Sequence, residues 1–278
     1  MRLRNRLITV VAVMLLAGLA RPGLRWFEQG RIYHPSRVFK TVPAEFGLAC
    51  EEAALRSSDG TRIQAWFLPA DKGPLSGQKL VLMYCHGNAG NMGNRVRKVS
   101  ILHRLGLDVL LFDYRGYGKS EGKPSEEGTY RDAEAAYRYL AQDKGFPPER
   151  IIIYGESLGG AIALETALRH APKVLILDST FTSIVDMCRR NFSWLPARLV
   201  VTLRYDNLAK IPRIHFPLMI LHSREDRVVP FSMGQALFAA APQPKEFVVT
   251  KGRHGEGYVE TGEAYPQAVL AFLRRYAL

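Results

Sequence analysis

The chain has 278 residues, of which 47% are hydrophobic, and a formal net charge of +12. This length allows a substantial buried core within a single domain. The three widely spaced cysteines do not define a disulfide framework. The charge requires no nucleic-acid partner, because the first 40 residues hold eight Lys or Arg and one acid, which account for +7, and the remaining +5 is spread without a clustered run.

The amino terminus has the pattern of a targeting segment. Arg2, Arg4 and Arg6 precede an apolar run at residues 7–20. Residues 1–25 therefore predict either a signal peptide, whose cleavage leaves an exported soluble protein, or an uncleaved signal-anchor. More basic residues precede the run than follow it at once, so the remainder of the chain is expected on the extracytoplasmic, periplasmic side. The basic residues would also attract anionic membrane lipid.

After this segment, strand and helix patterns alternate. A hairpin is predicted at residues 53–69, with its turn at Ser58-Asp59-Gly60. Further strands are predicted at 80–85, 107–113, 151–154, 173–178, 217–222 and 246–250, and helices at 94–105, 125–141, 158–170, 231–241 and 264–276. The alternation predicts an α/β fold with a mostly parallel sheet and helices on both faces, which the hairpin extends in antiparallel fashion at one edge.

Two loops at predicted strand ends are rich in small residues. The strand at 80–85 runs into His86-Gly87-Asn88-Ala89-Gly90-Asn91, where small residues let the backbone approach a ligand closely. The strand at 151–154 runs into Gly155-Glu156-Ser157-Leu158-Gly159-Gly160 and then directly into a helix. This second pattern is typical of a nucleophile elbow, a strained turn that lifts a serine hydroxyl above the end of a strand. We therefore predict Ser157 as a nucleophile.

The interval 181–215 interrupts the alternation with apolar residues set among arginines. They are Phe181, Phe192, Trp194, Leu195, Leu199, Val200, Val201 and Tyr205, with Arg189, Arg190, Arg198 and Arg204. Two interpretations stay open. The interval forms a short lid that shapes an acyl pocket or touches a membrane, or it packs one or two helices onto the sheet.

A serine is a poor nucleophile near neutral pH unless a base and an orienting acid assist it. Asp226 lies in the loop after the strand at 217–222, and His254 lies in a glycine-flanked loop after the strand at 246–250. Both loops are at carboxyl ends of strands, where open α/β sheets build their sites. We predict His254 as the base and Asp226 as the acid. Glu225, and Asp178 at the end of the strand at 173–178, stay open as alternative acids.

In combination, these motifs resemble a known family. His86–Asn91, Asp113–Ser120 and Gly155–Gly160, followed by Asp226 and His254, are similar to the motifs of serine hydrolases with an α/β-hydrolase domain. The similarity is to the membrane-anchored branch, which includes protein depalmitoylases.

The resemblance implies a single α/β-hydrolase catalytic domain over residues 45–278, in which residues 181–215 form a short lid region. It also implies that the N-terminal segment, residues 1–25, is an uncleaved signal-anchor. In this fold one oxyanion donor follows the strand at 80–85, and a second is the backbone N–H after the nucleophile. The implied donors are therefore the backbone N–H groups of Asn88 and Leu158.

The implied function is hydrolysis of a carboxylic ester or thioester in a small-molecule or acylated substrate, through an acyl-enzyme on Ser157. The alternatives are a serine peptidase of the same fold, aminopeptidase-like, and a catalytically silent, membrane-tethered binding protein. Neither Cys-x-x-Cys nor His-Glu-x-x-His is present, and Gly118-Lys119-Ser120 lacks the first glycine of a phosphate-binding loop. We therefore predict neither a metal nor a cofactor.

Overall fold

Eight strands build the central sheet of the computed structural model, which describes residues 23–278. They are β1 (Glu51–Arg56), β2 (Arg62–Leu68), β3 (Val81–Cys85), β4 (Asp108–Phe112), β5 (Ile151–Glu156), β6 (Val174–Asp178), β7 (Leu218–Ser223) and β8 (Lys245–Thr250). Their spatial order is β8-β7-β6-β5-β3-β4-β2-β1. The six strands from β8 to β4 pair in parallel, and the β1–β2 hairpin is added to β4 in antiparallel fashion.

Helices cover both faces of this sheet. They are α1 (Val96–His103), α2 (Glu126–Arg138), α3 (Leu158–His170), α4 (Ile184–Asn191), α5 (Ala197–Val200), α6 (Asn207–Lys210), α7 (Phe231–Ala240), α8 (Gly257–Glu260) and α9 (Ala264–Tyr276). Side chains alternate across β5, so that Ile151 and Ile153 pack in a core with α2, α3 and α7. Ile152 and Tyr154 pack in the opposite core, with α1 and α9. A strand that is buried on both faces needs this continuous apolar sequence.

The predicted mostly parallel sheet, with helices on both faces and an antiparallel hairpin, is confirmed. Two local details differ from the predicted pattern. The helix predicted at 125–141 ends at Arg138 and continues as a π-helical turn, Tyr139–Asp143. The interval 181–215 holds the three short helices α4, α5 and α6.

The predicted targeting segment lies outside the described residues except for its last three positions, 23–25, which are helical. In the stretch from residue 23 to the carboxyl terminus, no helix is both long enough and apolar enough to cross a membrane.

The chain reverses its direction of travel across the sheet between β3 and β5. The strand after β3 is placed on one side of it, and β5 is placed on the other. Loops that leave the carboxyl ends of β3 and β5 therefore diverge and leave a crevice, which is where ligands bind in open α/β sheets. The His86–Asn91 loop and the Ser157 turn both start at this crevice.

Candidate active site

Ser157 forms the sharp turn between β5 and α3. Its φ is +53°, in the left-handed region that a non-glycine residue adopts only when its surroundings impose it. The backbone is held on both sides, because the Ser157 N–H donates to the Asp178 carbonyl at 2.9 Å and Thr180 Oγ1 donates to the Ser157 carbonyl at 2.7 Å. The strain is therefore maintained by contacts with the end of β6 and with the loop that follows it.

Gly159 and Gly160 let helix α3 approach the sheet closely. A Cβ on Gly159 would collide with the Cys85 carbonyl oxygen at the end of β3, and one on Gly160 would collide with the Thr180 hydroxyl. Without side chains at these two positions the helix begins directly against the strands. This close approach puts the first turn of α3 beside the His86–Asn91 loop.

Ser157, His254 and Asp226 are joined by a chain of hydrogen bonds. His254 Nε2 lies 3.0 Å from Ser157 Oγ, and His254 Nδ1 lies 2.6 Å from Asp226 Oδ2. A carboxylate can only accept, so Nδ1 carries the proton and Nε2 is free to accept the serine proton. The structure thus brings together the three residues that the sequence predicts as nucleophile, base and acid.

The Asp226 carboxylate is buried and held in place by its own loop. Its Oδ1 accepts the Val228 N–H at 2.9 Å and the Val229 N–H at 2.8 Å, which leaves Oδ2 to His254. Arg190 of α4 reaches the same loop and donates to the Val228 carbonyl at 2.8 Å. The interval 181–215 therefore contacts the loop that carries the predicted acid.

The two alternative acids lie elsewhere. Glu225 is exposed to solvent. Asp178 is buried, and its Oδ2 accepts from Lys98 Nζ at 2.6 Å, from the Tyr154 hydroxyl at 2.6 Å and from the Tyr265 hydroxyl at 2.9 Å. These donors occupy the oxygen that would otherwise orient a histidine.

Lys98 joins Asp178 to Glu156, the residue before the nucleophile. Lys98 Nζ lies 2.9 Å from Glu156 Oε2, and all three side chains are buried. Burial by itself would raise the pKa of both carboxyls. The Lys98 ammonium, together with Arg95 at Glu156 and the Tyr154 hydroxyl at Asp178, holds their pKa values below the usual range. Burial would lower the pKa of Lys98, but the two carboxylates hold it well above its usual range. The group remains an ionised triad at neutral pH.

The predicted oxyanion donors are backbone N–H groups of the His86–Asn91 loop and of Leu158, the first residue of α3. Over residues 23–278, neither the Asn88 N–H nor the Leu158 N–H donates a hydrogen bond to the protein. The Asn88 carbonyl, by contrast, accepts from the Tyr117 hydroxyl at 2.7 Å and from the His34 N–H at 3.0 Å. The structure therefore fixes the peptide units of the loop while it leaves the Asn88 N–H available.

The loop after β4 holds the His86–Asn91 loop in place through hydrogen bonds. Tyr114 donates to the His86 carbonyl at 3.0 Å, and Asp113 accepts the Met92 N–H at 2.7 Å. The His86 ring lies 3.2 Å from Asp113 and packs against Tyr114.

Within the described part of the chain, no three His, Cys, Asp or Glu side chains form a group that could hold a metal.

Sequence reasoning missed Lys98 and Glu156. An acid at the end of a fully buried strand was the available signal for Glu156, because buried carboxylates are almost always paired. Lys98 carried no such signal, since a lysine on an apolar helix face ordinarily extends its ammonium to solvent.

A family model and several relatives match the sequence of this chain. Residues 76–211 match the family model described as "Serine aminopeptidase, S33". The uncharacterized protein Rv2307c of Mycobacterium tuberculosis is 35% identical over 279 residues, which cover 99% of this chain and 98% of the relative. The alpha/beta hydrolase domain-containing protein WAV2 of Arabidopsis thaliana is 32% identical over 292 residues, which cover 95% of this chain and 92% of that protein.

Among solved structures, the Pyrococcus furiosus esterase Pf2001 superimposes with a TM-score of 0.71. It is 21% identical, and the match covers 89% of this chain and 98% of the esterase. At this identity the likeness shows a shared fold.

Proposed function

The chain belongs to the α/β-hydrolase family, and from that premise we propose that it is a serine hydrolase that cleaves carboxylic ester or thioester bonds. Ser157 is the nucleophile, His254 the general base and Asp226 the acid that orients the imidazole. The observation that carries the proposal is the continuous chain Ser157 Oγ, His254 Nε2, His254 Nδ1, Asp226 Oδ2, with links of 3.0 and 2.6 Å.

Acylation begins when Ser157 Oγ attacks the carbonyl carbon and its proton passes to His254 Nε2. The imidazolium that forms is stabilised by the Asp226 carboxylate. The carbonyl oxygen becomes an oxyanion, which accepts hydrogen bonds from the backbone N–H groups of Asn88 and Leu158. When the tetrahedral intermediate collapses, the bond to the alcohol or thiol breaks, and Nε2 returns its proton to the leaving group.

Deacylation repeats these steps with water in place of the serine hydroxyl. His254 removes a proton from water, the hydroxide oxygen attacks the acyl carbon, and the same two N–H groups bind the second oxyanion. Collapse releases the carboxylic acid and returns the proton to Ser157 Oγ. No redox partner is needed, because every bond is made and broken with an electron pair.

The matched family description favours a second candidate, an aminopeptidase. Its triad chemistry would be the same, and the leaving group would be an amine. The two candidates differ in the substrate that is turned over fastest, so one panel of substrates separates them.

The test compares the wild type with Ser157→Ala on three substrate sets: p-nitrophenyl esters from acetate to palmitate, acyl thioesters and aminoacyl p-nitroanilides. We expect turnover of an ester or thioester and a fall of about 10⁶-fold in kcat for Ser157→Ala, as when the nucleophile of such a triad is removed. Ser58→Ala, an exposed serine in the β1–β2 turn, is the control. Turnover of the anilides alone would favour the aminopeptidase, and activity retained in Ser157→Ala would refute the nucleophile.

A further inference from the structure

Arg95 connects the two sides of the active site. It ends the short 3-10 turn Met92–Arg95 that precedes α1. Its Nε lies 3.2 Å from Glu156 Oε1, and its Nη2 donates to the Ala89 carbonyl at 3.1 Å. Glu156 directly precedes the nucleophile and Ala89 directly follows Asn88. One guanidinium therefore contacts both the elbow and the His86–Asn91 loop.

The elbow end of this connection is fixed. Glu156 Oε2 accepts from the Tyr84 hydroxyl at 2.5 Å and from Lys98 Nζ at 2.9 Å. The Glu156 carboxylate is therefore anchored to β3 and α1 independently of Arg95, and burial prevents water from replacing these contacts. Arg95 extends from a rigid anchor to a loop.

Gly87 shows how closely the His86–Asn91 loop approaches Arg95, Glu156 and Ser157. A Cβ built on Gly87 would lie 3.4 Å from Arg95 Nη2, 3.5 Å from Glu156 Oε1 and 3.5 Å from Ser157 Cβ. The opposite side of the loop is held by other groups, since Asn88 Nδ2 donates to the Ile32 carbonyl at 2.7 Å and Tyr117 donates to the Asn88 carbonyl. Arg95 is thus a contact that joins the loop to Glu156, the residue before the nucleophile.

We propose that Arg95 is a positioning residue that sets the distance between the Asn88 N–H and Ser157 Oγ. The proposal rests on the proposed function, in which that N–H binds the oxyanion. Stabilisation of an oxyanion depends on donors that are placed before the charge develops, so a displacement of a fraction of an ångström lowers kcat.

The planar guanidinium is what this role requires. Two of its nitrogens lie close to Glu156 and Ala89 at once, at 3.2 and 3.1 Å, whereas a lysine ammonium is a compact charge on a flexible stem. Arg95→Lys keeps a cation beside Glu156 but cannot keep both contacts in the same geometry. If Arg95 served only to neutralise Glu156, Arg95→Lys would behave as the wild type.

The experiment compares the wild type with Arg95→Lys, Arg95→Gln and the control Arg97→Lys, the same substitution at an exposed position of α1. Two readouts are taken: kcat and KM for the best ester substrate, and amide hydrogen exchange of residues 86–91. We expect Arg95→Lys and Arg95→Gln to lower kcat at least about tenfold, less than the 10²–10³-fold of losing one donor. KM should change less than threefold, and exchange in residues 86–91 should accelerate. Arg97→Lys should match the wild type in both.

The positioning role would be overturned if Arg95→Lys kept both the wild-type kcat and the wild-type rate of amide hydrogen exchange in residues 86–91. It would also be overturned if Arg97→Lys lost as much kcat as Arg95→Lys. If Arg95→Lys does not fold, the same criteria apply to Arg95→Gln. A wild type that is inactive on every substrate would instead refute the proposed function. In that case the hydrogen exchange of the loop still decides whether Arg95 positions it.

Discussion

The three candidate acids, Asp178, Glu225 and Asp226, differ in what each carboxylate contacts. Within residues 23–278, only the Asp226 carboxylate contacts the His254 ring. In Asp226→Asn, the Oδ1 acceptor of the Val228 and Val229 N–H groups is retained if the new amide NH₂ faces His254. That NH₂ donates, so His254 is left with its proton on Nε2, where it cannot accept from Ser157.

We therefore expect Asp226→Asn to lower kcat by about 10⁴-fold, the effect of the wrong tautomer in a serine triad. Its melting temperature should stay within a few degrees of the wild type. Steady-state kinetics and thermal unfolding measure the two quantities. Glu225→Gln is the matched control, since it alters the adjacent exposed carboxylate, and its kcat should stay within about twofold. Equal kcat losses in both variants would show that Asp226 has no special role.

The proximity of Ser157 and His254 was predictable from the sequence, because each lies in a glycine-containing loop at the carboxyl end of a strand. The sequence also favoured Asp226 as the acid, but Glu225 and Asp178 stayed open, because the choice depends on which side chain turns toward the imidazole. The contacts of Arg95 could not be predicted from the sequence, for a similar reason. Its partners Glu156 and Ala89 are brought to it by the pairing of β3 with β5 and by the course of the loop, and no local pattern records that contact.

At the scale of elements, the close packing of α3 on the sheet depends on Gly159. An added methyl would overlap the Cys85 carbonyl oxygen, and a backbone atom cannot move aside without shifting β3 or α3. We expect Gly159→Ala to lower the free energy of unfolding by about 2–3 kcal/mol, the cost of overpacking a rigid site.

Urea unfolding at neutral pH measures this loss. Gly30→Ala is the control, because Gly30 lies in the helical segment 23–32 with nothing within 4 Å of a new Cβ. It should leave stability unchanged or raise it by up to about 1 kcal/mol through helix propensity. Gly159→Ala with wild-type stability would mean that the α3–β3 contact is not tight.

The long elements were predictable because their apolar periodicity is strong. The bounds of α3 and α9 match the predicted ranges 158–170 and 264–276, and each core strand differs from its prediction by a residue or two. The interval 181–215 was not predictable in the same way. Its helices α5 and α6 have four residues each, too few for a periodic pattern, and contacts such as that of Glu28 with the Thr202 N–H at 2.9 Å hold this region in place.

Over the whole molecule, the buried Glu156–Lys98–Asp178 group links β5, α1 and β6 and gives stability a defined dependence on pH. The folded-state pKa values of both carboxyls lie below their unfolded values of about 4. Their contribution is therefore complete above about pH 4 and is lost as the pH falls toward the folded-state pKa values.

Glu156→Gln removes one of these carboxylates. Between the folded and unfolded pKa values, the wild type takes up one more proton on unfolding than the variant does. The slope of unfolding free energy against pH should therefore be smaller in Glu156→Gln by up to about 1.4 kcal/mol per pH unit. Urea unfolding at a series of pH values from 5 downward, at about half-unit steps, gives both slopes. Parallel slopes would contradict an ionised, paired Glu156 in the folded protein.

The measurement that tests the central claim most directly is covalent trapping with a fluorophosphonate, followed by mass spectrometry of the digested protein. The account predicts a single adduct, on the peptide that contains Ser157, which disappears in Ser157→Ala and forms far more slowly in His254→Ala. A folded wild type that forms no adduct, or forms it on another residue, would contradict the assignment of Ser157 and His254 as nucleophile and base.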